Sequence, residues 1–182
     1  MNEEIKHIHT PFDREEIARL KAGEMVKLTG EILVFRDQVH RILCEKIKNG
    51  EPLPFSLENR ALYYCGPTPA RHNLPVGSAG PTTSSRMDRF TGPLLGKGLA
   101  MTIGKGNRSQ EIVELLKKHG AVYMAAVGGA GALLAQHVTG ATVIAFTELG
   151  PEAARIFTVV DFPLIVGIDS GGGSAFVRRS HP

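Results

Sequence analysis

The chain has 182 residues, 42% of them hydrophobic and 21% charged, a composition that favours one globular domain with its own core. The net charge of +3 mildly favours anionic partners, but 6% aromatic residues and no tryptophan argue against a base-stacking surface for nucleic acid. The N-terminus lacks a basic stretch followed by an apolar run, and no apolar segment is long enough to span a bilayer. We therefore expect a cytoplasmic protein that binds neither nucleic acid nor a membrane.

Composition along the chain predicts three parts. Residues 1–24 are polar and charged and predict an N-terminal arm, residues 25–170 predict a single domain, and the Gly- and Ser-rich residues 171–182 predict a flexible tail. The domain begins with an apolar pattern of period two over residues 25–35, interrupted by a Thr-Gly pair. This pattern predicts either two short strands joined by a tight turn or one bulged strand.

A helix is predicted after this β segment. Asp37 is the predicted N-cap, apolar residues then recur at helical spacing, and Asn49-Gly50 ends the helix. Arg36 and His40 share the leading face of this helix because they are four residues apart. Spacing alone favours a solvated arginine and a capping histidine.

A long loop follows the next strand. Residues 61–65 predict a short strand, and the proline- and glycine-rich residues 66–81 predict an irregular connection. Such a loop in a compact domain is either functional or disordered, and this one runs directly into Thr82, which favours function. After Thr82 the chain turns helical, with Thr83 or Ser84 as the predicted cap.

Residues 99–120 carry the clearest pattern, a strand followed by a loop and a helix. Asn107 and Gln110 form a capping-box pattern, and Gly120 ends the helix. Three apolar segments and one short helix complete the domain; the segments are residues 121–127, 141–146 and 164–168, and the helix is residues 130–138. This alternation predicts an α/β domain, and the β-rich first third adds a separate β element.

Two stretches place hydroxyls or glycines and a cation where a helix begins: GPTTSSRMD at residues 80–88 and GKGNRS at residues 104–109. A helix start has unpaired N–H groups and a partial positive charge, so it can seat an anion. Two such starts in one small domain predict a ligand with two negative groups, such as a dicarboxylate.

Two rival nucleotide motifs fail. Gly98 and Gly104-Lys105 suggest a phosphate-binding P-loop. The glycine spacing is too long for that motif, however, and Gly106 stands where Ser or Thr must hold magnesium. The glycines of residues 127–132 follow a strand, as in a dinucleotide fingerprint, but they do not fit the GxGxxG spacing. A non-enzymatic anion- or nucleotide-binding module is kept as an alternative.

Three motifs stand together in the order RDxxHR (residues 36–41), GPTTxxRMD (residues 80–88) and KGNRS (residues 105–109). Their combination resembles the β subunit of class I fumarate hydratases and L(+)-tartrate dehydratases, and the C-terminal domain of their single-chain relatives. The resemblance covers roughly residues 10–176. It implies a swivelling β/β/α domain and the reversible dehydration of a hydroxy-dicarboxylate at a [4Fe–4S] cluster, with fumarate plus water to malate as the expected reaction.

The same resemblance assigns roles to four residues. Arg36, Arg86 and Lys105 fall where the family binds substrate carboxylates, and Thr82 falls where the family has a threonine proposed as the base. The cations suit this role, because guanidinium groups grip carboxylates through paired hydrogen bonds while lysine acts as a point charge. A free hydroxyl is a very weak base, so Thr82 needs help from neighbouring cations or N–H groups. The alternative is a threonine that only caps a helix.

The two cysteines, Cys44 and Cys65, are expected to be buried thiols. A cluster with one iron open to substrate needs three thiolates, which this chain cannot supply alone. The resemblance therefore implies that an α subunit holds the [4Fe–4S] cluster, most simply in an α2β2 assembly, and that the lone chain is inactive. The alternative function within the family is that of an L(+)-tartrate dehydratase β subunit.

Overall fold

The computed structural model describes residues 5–70, 74–127 and 129–176. The strands are β1 (Lys6–His9), β2 (Met25–Val34), β3 (Ala61–Tyr63), β4 (Met101–Gly104), β5 (Val122–Ala125), β6 (Val138–Ala145) and β7 (Ala154–Ile168). The helices are α1 (Arg14–Arg19), α2 (Asp37–Asn49), α3 (Asp88–Gly96), α4 (Gln110–His119) and α5 (Gly131–Ala135). Two 3-10 segments, Ser84–Met87 and Thr147–Glu152, precede α3 and β7.

Five strands close into a small barrel. Strands β2, β3, β4 and β5 are parallel neighbours in this order. The long strand β7 runs antiparallel to both β5 and β2 and so joins the two ends of the parallel set. Strand β1 adds to β2, and β6 adds to β7. The protein is thus a mixed α/β fold in which the carboxyl ends of four parallel strands meet at one end of the barrel.

Both faces of β3, β4 and β5 are buried, which explains their nearly continuous apolar sequences. On β3, Ala61 and Tyr63 belong to one apolar cluster and Leu62 belongs to another, as the period of two requires. The second cluster also contains the buried residues of α2, α3 and α4, such as Leu43 and Leu116. These helices therefore cover the outside of the barrel, and the first cluster lies on the inner face of the strands.

Most predicted elements are confirmed, and one strand is clearly longer than predicted. The pattern over residues 25–35 forms one strand, β2, with a register shift between Leu28 and Gly30, which is the bulged alternative. Strand β7 is 15 residues long, whereas only residues 164–168 were predicted as a strand. The earlier part of β7 was missed because Asp161 and Pro163 interrupt its apolar pattern.

The two ends of the described chain pack on the barrel. Within the predicted arm, residues 5–24 form β1 and α1, and Ile8 and Ile17 are buried in the inner cluster. Within the predicted tail, Phe176 stacks on Tyr123 with ring centroids 6.1 Å apart. Residues 177–182 of that tail lie outside the described residues, and the division into arm, domain and tail stays a prediction.

Among the described residues, no helix is both long enough and apolar enough to cross a membrane.

Candidate functional site

The predicted site residues lie at the carboxyl ends of the parallel strands. Arg36 follows β2 closely, and Lys105 directly follows β4. Thr82 reaches the strand between them, because its N–H donates to the carbonyl oxygen of Tyr64, the residue after β3, at 2.7 Å. The carboxyl ends of parallel strands are where ligands bind in α/β sheets. Three predicted site residues thus lie at the ends of three neighbouring strands.

Backbone hydrogen bonds join the two motifs that carry Thr82 and Lys105. The N–H of Lys105 donates to the carbonyl oxygen of Thr82 at 3.2 Å, and the N–H of Ser84 donates to the carbonyl oxygen of Lys105 at 2.9 Å. Thr83 and Lys105 form a parallel bridge. Thr82 is half-buried and Lys105 is exposed. The sequence separates these motifs, but the fold makes them one unit.

Tyr123 on β5 contacts both motifs of this unit through its hydroxyl. Its hydroxyl donates to the carbonyl oxygen of Gly106 at 2.7 Å and lies 3.0 Å from Ser84 Oγ. Burial raises the pKa of Tyr123 to about 12, so the phenol stays a protonated donor at neutral pH. The sequence offered no sign of this role, since a tyrosine in an apolar strand is typical of core packing.

The side chain of Arg36 packs closely against Gly66. A Cβ atom at Gly66 would be 3.0 Å from both Nε and Cζ of Arg36, so a larger residue would push the guanidinium aside. Nη2 of Arg36 lies 3.4 Å from Oε1 of Glu152, in the segment before β7. Nε of Arg36 is buried and has no hydrogen-bond partner among the described residues. Arg36 is therefore held in place with part of its hydrogen-bonding capacity unused.

Arg86 reaches the start of α2. Its Nη2 lies 2.9 Å from Oδ2 of Asp37, and 56% of its side chain is exposed. The prediction that Asp37 caps α2 is wrong: Arg36 occupies the N-cap position, and no side chain caps the helix there. Because Asp37 directly follows Arg36, its carboxylate brings the two predicted substrate-binding arginines to the same helix start.

His40 supports the backbone of Arg36. Its Nδ1 donates to the carbonyl oxygen of Arg36 at 2.6 Å, and its ring packs against those of Phe35 and Tyr64. Burial lowers the pKa of His40 to about 4, against smaller opposing effects of this hydrogen bond and of Asp37. His40 is therefore neutral at physiological pH and serves the structure of the helix start.

The predicted anion seats at two helix starts need correction. Helix α3 is preceded by a 3-10 turn, and Thr83 makes no side-chain cap. Helix α4 is capped by Ser109 rather than Asn107, since Ser109 Oγ accepts from the N–H of Ile112 at 3.4 Å. The N–H of Ser109 itself donates to Oδ2 of Asp88 at 2.9 Å. The carboxylate of Asp88 therefore already lies at the start of α4, and the cationic side chains remain to bind a ligand.

The thiols of this chain do not fit an iron–sulfur cluster. Cys65 is buried in the inner apolar cluster, and burial raises its pKa to about 12, although Arg36 opposes the shift. Cys44 packs against the outer cluster, its Sγ 3.6 Å from the carbonyl oxygen of Phe90, and burial raises its pKa as well. Iron binds the thiolate, which burial disfavours. Within the described ranges no three His, Cys, Asp or Glu side chains are grouped to hold a metal.

The fold and the site together define a small-barrel α/β domain with a cationic edge at the ends of its parallel strands. Comparison with known proteins identifies the family. The model of the family described as Fumarase C-terminus matches residues 2–179, and the chain belongs to this family. This result confirms the resemblance drawn from the three motifs.

Fumarate hydratases and a tartrate dehydratase subunit are among the proteins that this chain resembles. The chain is 36% identical over 172 residues to fumarate hydratase 2 of Leishmania major, and 36% identical over 163 residues to the aerobic class I fumarate hydratase of Escherichia coli. These matches cover 92% and 88% of this chain but only 30% of each relative. A putative L(+)-tartrate dehydratase subunit beta of Methanocaldococcus jannaschii is 37% identical over 178 residues, 94% of this chain and 91% of that protein.

Proposed function

We propose that this chain is the β subunit, or the matching C-terminal domain, of a hydro-lyase that interconverts a hydroxy-dicarboxylate and its dehydrated product, with fumarate plus water to malate as the reaction. Family membership and the names of the relatives support this proposal. The observation that carries it is the backbone pairing of Thr82 with Lys105 at the strand ends. Arg36 follows the neighbouring strand, and Arg86 pairs with the residue after Arg36.

Arg36, Arg86 and Lys105 bind the two carboxylates of the substrate in this proposal. Both arginines already pair with a carboxylate, Glu152 for Arg36 and Asp37 for Arg86. A guanidinium has five N–H donors in a planar fork, so each arginine can keep this partner and still grip a substrate carboxylate. Lys105 adds an exposed point charge. The carboxylates of Glu152 and Asp37 then orient the two guanidinium groups toward the substrate.

Thr82 is the proposed base. Its hydroxyl must be deprotonated or relay its proton, and a neighbouring cation favours the ionised form. Lys105 is the proposed cation, because its backbone pairs with the segment of Thr82 and Thr83. Fixed cations also stabilise the enediolate-like charge that develops as the C–H proton leaves the substrate.

The [4Fe–4S] cluster is proposed to belong to an α subunit, because the thiols of this chain are too few, buried and separate. We further propose an α2β2 assembly and a domain of the swivelling β/β/α type. The location in the cytoplasm stays a prediction. The Methanocaldococcus jannaschii relative, which matches over nearly its whole length, is named as a subunit, and this name supports an α partner. It also supports tartrate as the second candidate substrate.

Co-expression with an α subunit, followed by anaerobic purification, tests this proposal. We expect dehydration of malate or tartrate by the pair and by neither subunit alone, measured from the absorbance of fumarate or the appearance of the keto product. Profiling both substrates on the same preparation decides between the two candidates. Activity of the lone chain would contradict the proposed need for an α subunit. Tight nucleotide binding by the lone chain, with no activity of the pair, would contradict the proposed hydro-lyase and favour the anion-binding module.

A further inference from the structure

Arg108 is a buried arginine in the loop that carries Lys105. Its side chain has 0% exposure, and its Nε donates to Oδ1 of Asp88 at 2.6 Å. Its other two nitrogens donate to Thr102 Oγ1 at 3.2 Å and to Thr91 Oγ1 at 2.7 Å. These partners lie on β4 and α3, so one guanidinium connects a strand, a helix and a loop.

Both carboxylate oxygens of Asp88 accept hydrogen bonds from the loop that carries Lys105. Oδ1 accepts from Arg108, and Oδ2 accepts from the N–H of Ser109. Asp88 directly follows the 3-10 segment Ser84–Met87 that contains Arg86. The carboxylate therefore joins the end of the Lys105 loop to the end of the Arg86 turn.

Two tyrosines flank the guanidinium of Arg108. Its Cζ lies 5.5 Å from the ring centroid of Tyr64 and 5.1 Å from that of Tyr123. Tyr64 accepts the N–H of Thr82 on its carbonyl oxygen, and the hydroxyl of Tyr123 donates to Gly106. Burial alone would lower the pKa of Arg108, but Tyr64 and Asp88 outweigh it and raise this pKa above its ordinary value. The buried charge is thus well compensated.

We propose that Arg108 is the positioning residue of the site: its guanidinium holds the Lys105 loop against the turn from Thr82 to Arg86, and the affinity for a dicarboxylate depends on it. The inference rests on the proposed function for the identity of the ligand. Lysine cannot replace arginine here, because a single ammonium cannot reach Asp88, Thr91 and Thr102 with the geometry of a fork.

The chain offers a matched control at the other end of the barrel. Arg14 on α1 donates to Asn59 Oδ1 at 2.7 Å and to the carbonyl oxygens of Gly98 and His119. Asn59 and Gly98 precede β3 and β4, whereas the candidate site follows these strands. Arg14→Lys therefore breaks the same kind of fork without touching either motif.

The experiment compares Arg108→Lys with Arg14→Lys in the complex with the α subunit. We expect Arg108→Lys to lower kcat/KM about 10- to 100-fold, mainly through KM, since a misplaced pair of cations weakens carboxylate binding. Arg14→Lys should change KM by less than about twofold. An equal rise of KM in both variants would overturn the proposal, because general loosening of the fold would then explain it.

Amide hydrogen exchange on the purified chain gives a second readout that does not need activity. Exchange of residues 82–87 and 104–109 should be faster in Arg108→Lys and unchanged in Arg14→Lys. Unchanged exchange in Arg108→Lys would overturn the positioning role. If the wild-type pair has no hydro-lyase activity, the proposed function fails, and the exchange result still decides this inference. Should Arg108→Lys not fold, Asp88→Asn breaks the same ion pair from the less buried side and must reproduce both effects.

Discussion

Both ends of the barrel carry arginines. Arg14 at the amino ends differs from Arg36 and Arg86 in what it contacts, whereas Arg60, directly before β3, lies 3.8 Å from Oε2 of Glu31. At the amino ends of the parallel strands, Arg14 donates to an amide oxygen of Asn59 and to backbone carbonyls. At the carboxyl ends, Arg36 and Arg86 meet carboxylates from distant segments and keep unused donors. Neutral oxygens accept the hydrogen bonds of an arginine but do not neutralise its charge. Carboxylates form charge-assisted hydrogen bonds that fix the orientation of the guanidinium.

The difference shows that cationic residues alone do not locate a binding site. Burial lowers the pKa of Arg14, while Tyr64 and Asp88 raise that of Arg108 despite burial. A structural arginine can therefore occur at either end. What distinguishes the carboxyl end is the backbone pairing of Lys105 with the segment that carries Thr82, close to Arg36 and Arg86. Variants at both ends can show whether only the carboxyl end is chemically active.

The largest expected effect follows removal of the Thr82 hydroxyl. Thr82→Val should lower kcat of the complex about 100- to 10,000-fold with the fold intact, because a positioned base contributes rate enhancements of that order. The measurement is steady-state turnover of malate, with circular dichroism to check folding. Thr82→Ser keeps a hydroxyl and should retain much of the rate.

A hydroxyl in another part of the barrel provides the control for Thr82. Thr10 lines a cleft with Gly30 and Arg60, and its Oγ1 is buried with no hydrogen-bond partner among the described residues. Thr10→Val should leave kcat within about twofold of wild type. Full turnover in Thr82→Val would show that the base assignment is wrong.

The sequence predicted the elements with strong local patterns. Helices α2 and α4 begin within about two residues of their predicted starts, since apolar spacing and the terminal glycines Gly50 and Gly120 are local signals. The family was also identified from sequence through its three motifs, because the residues of each motif are close together in the chain. The β-bulge alternative for β2 was left open, as local pattern alone does not separate a bulge from a turn.

The contacts that build the site could not be predicted. Asp37 and Arg86 are 49 residues apart in the sequence, and Tyr123 and Gly106 are 17 apart. An aspartate before a helix is typical of a cap, and only the tertiary fold reveals that Asp37 meets an arginine instead. The capping box at Asn107 was wrong as well, since Ser109 caps α4 and Asn107 Oδ1 accepts from the N–H of Arg108 instead.

A pH effect on stability is the next prediction. His40 has a folded pKa of about 4 against 6.5 for an unperturbed histidine. The unfolded chain therefore takes up the proton first, and stability falls as pH decreases from 6.5 to 4, by about 3 kcal/mol in total. Below pH 4 both states are protonated at this site, so His40 adds no further loss.

Urea unfolding of wild type and His40→Phe between pH 7 and pH 4 measures this effect. Phenylalanine suits the aromatic surroundings of Phe35, Tyr64 and Phe90 but does not titrate. The unfolding free energy of wild type should fall relative to that of His40→Phe as the pH decreases, even though Asp37 nearby favours the charged histidine and Arg108 opposes it. Parallel curves over this range would contradict a buried neutral His40 at the carboxyl end.

The smallest predicted effect compares two glycines at opposite ends. A Cβ on Gly104, the last residue of β4, would lie 2.9 Å from Cδ2 of Tyr64 and 3.2 Å from the carbonyl oxygen of Thr82, and would clash with Ser84 Oγ. Gly104→Ala should cost about 1–3 kcal/mol of stability, because the well-packed neighbours must shift. It should also lower kcat/KM, since the shift separates Thr82 from Lys105.

Gly96, the last residue of α3, lies toward the amino ends of the strands, and outside its own helix no heavy atom of the described residues lies within 4 Å of a Cβ placed there. Gly96→Ala should therefore stabilise the chain by about 0.4–1 kcal/mol through the unfolded state, with no change in kcat/KM. Thermal melts and kinetics on both variants make the comparison. If both alanines destabilised equally, the close packing of strand β4 against the Thr82 turn would not be special, and the backbone pairing that unites the two motifs would lose its support.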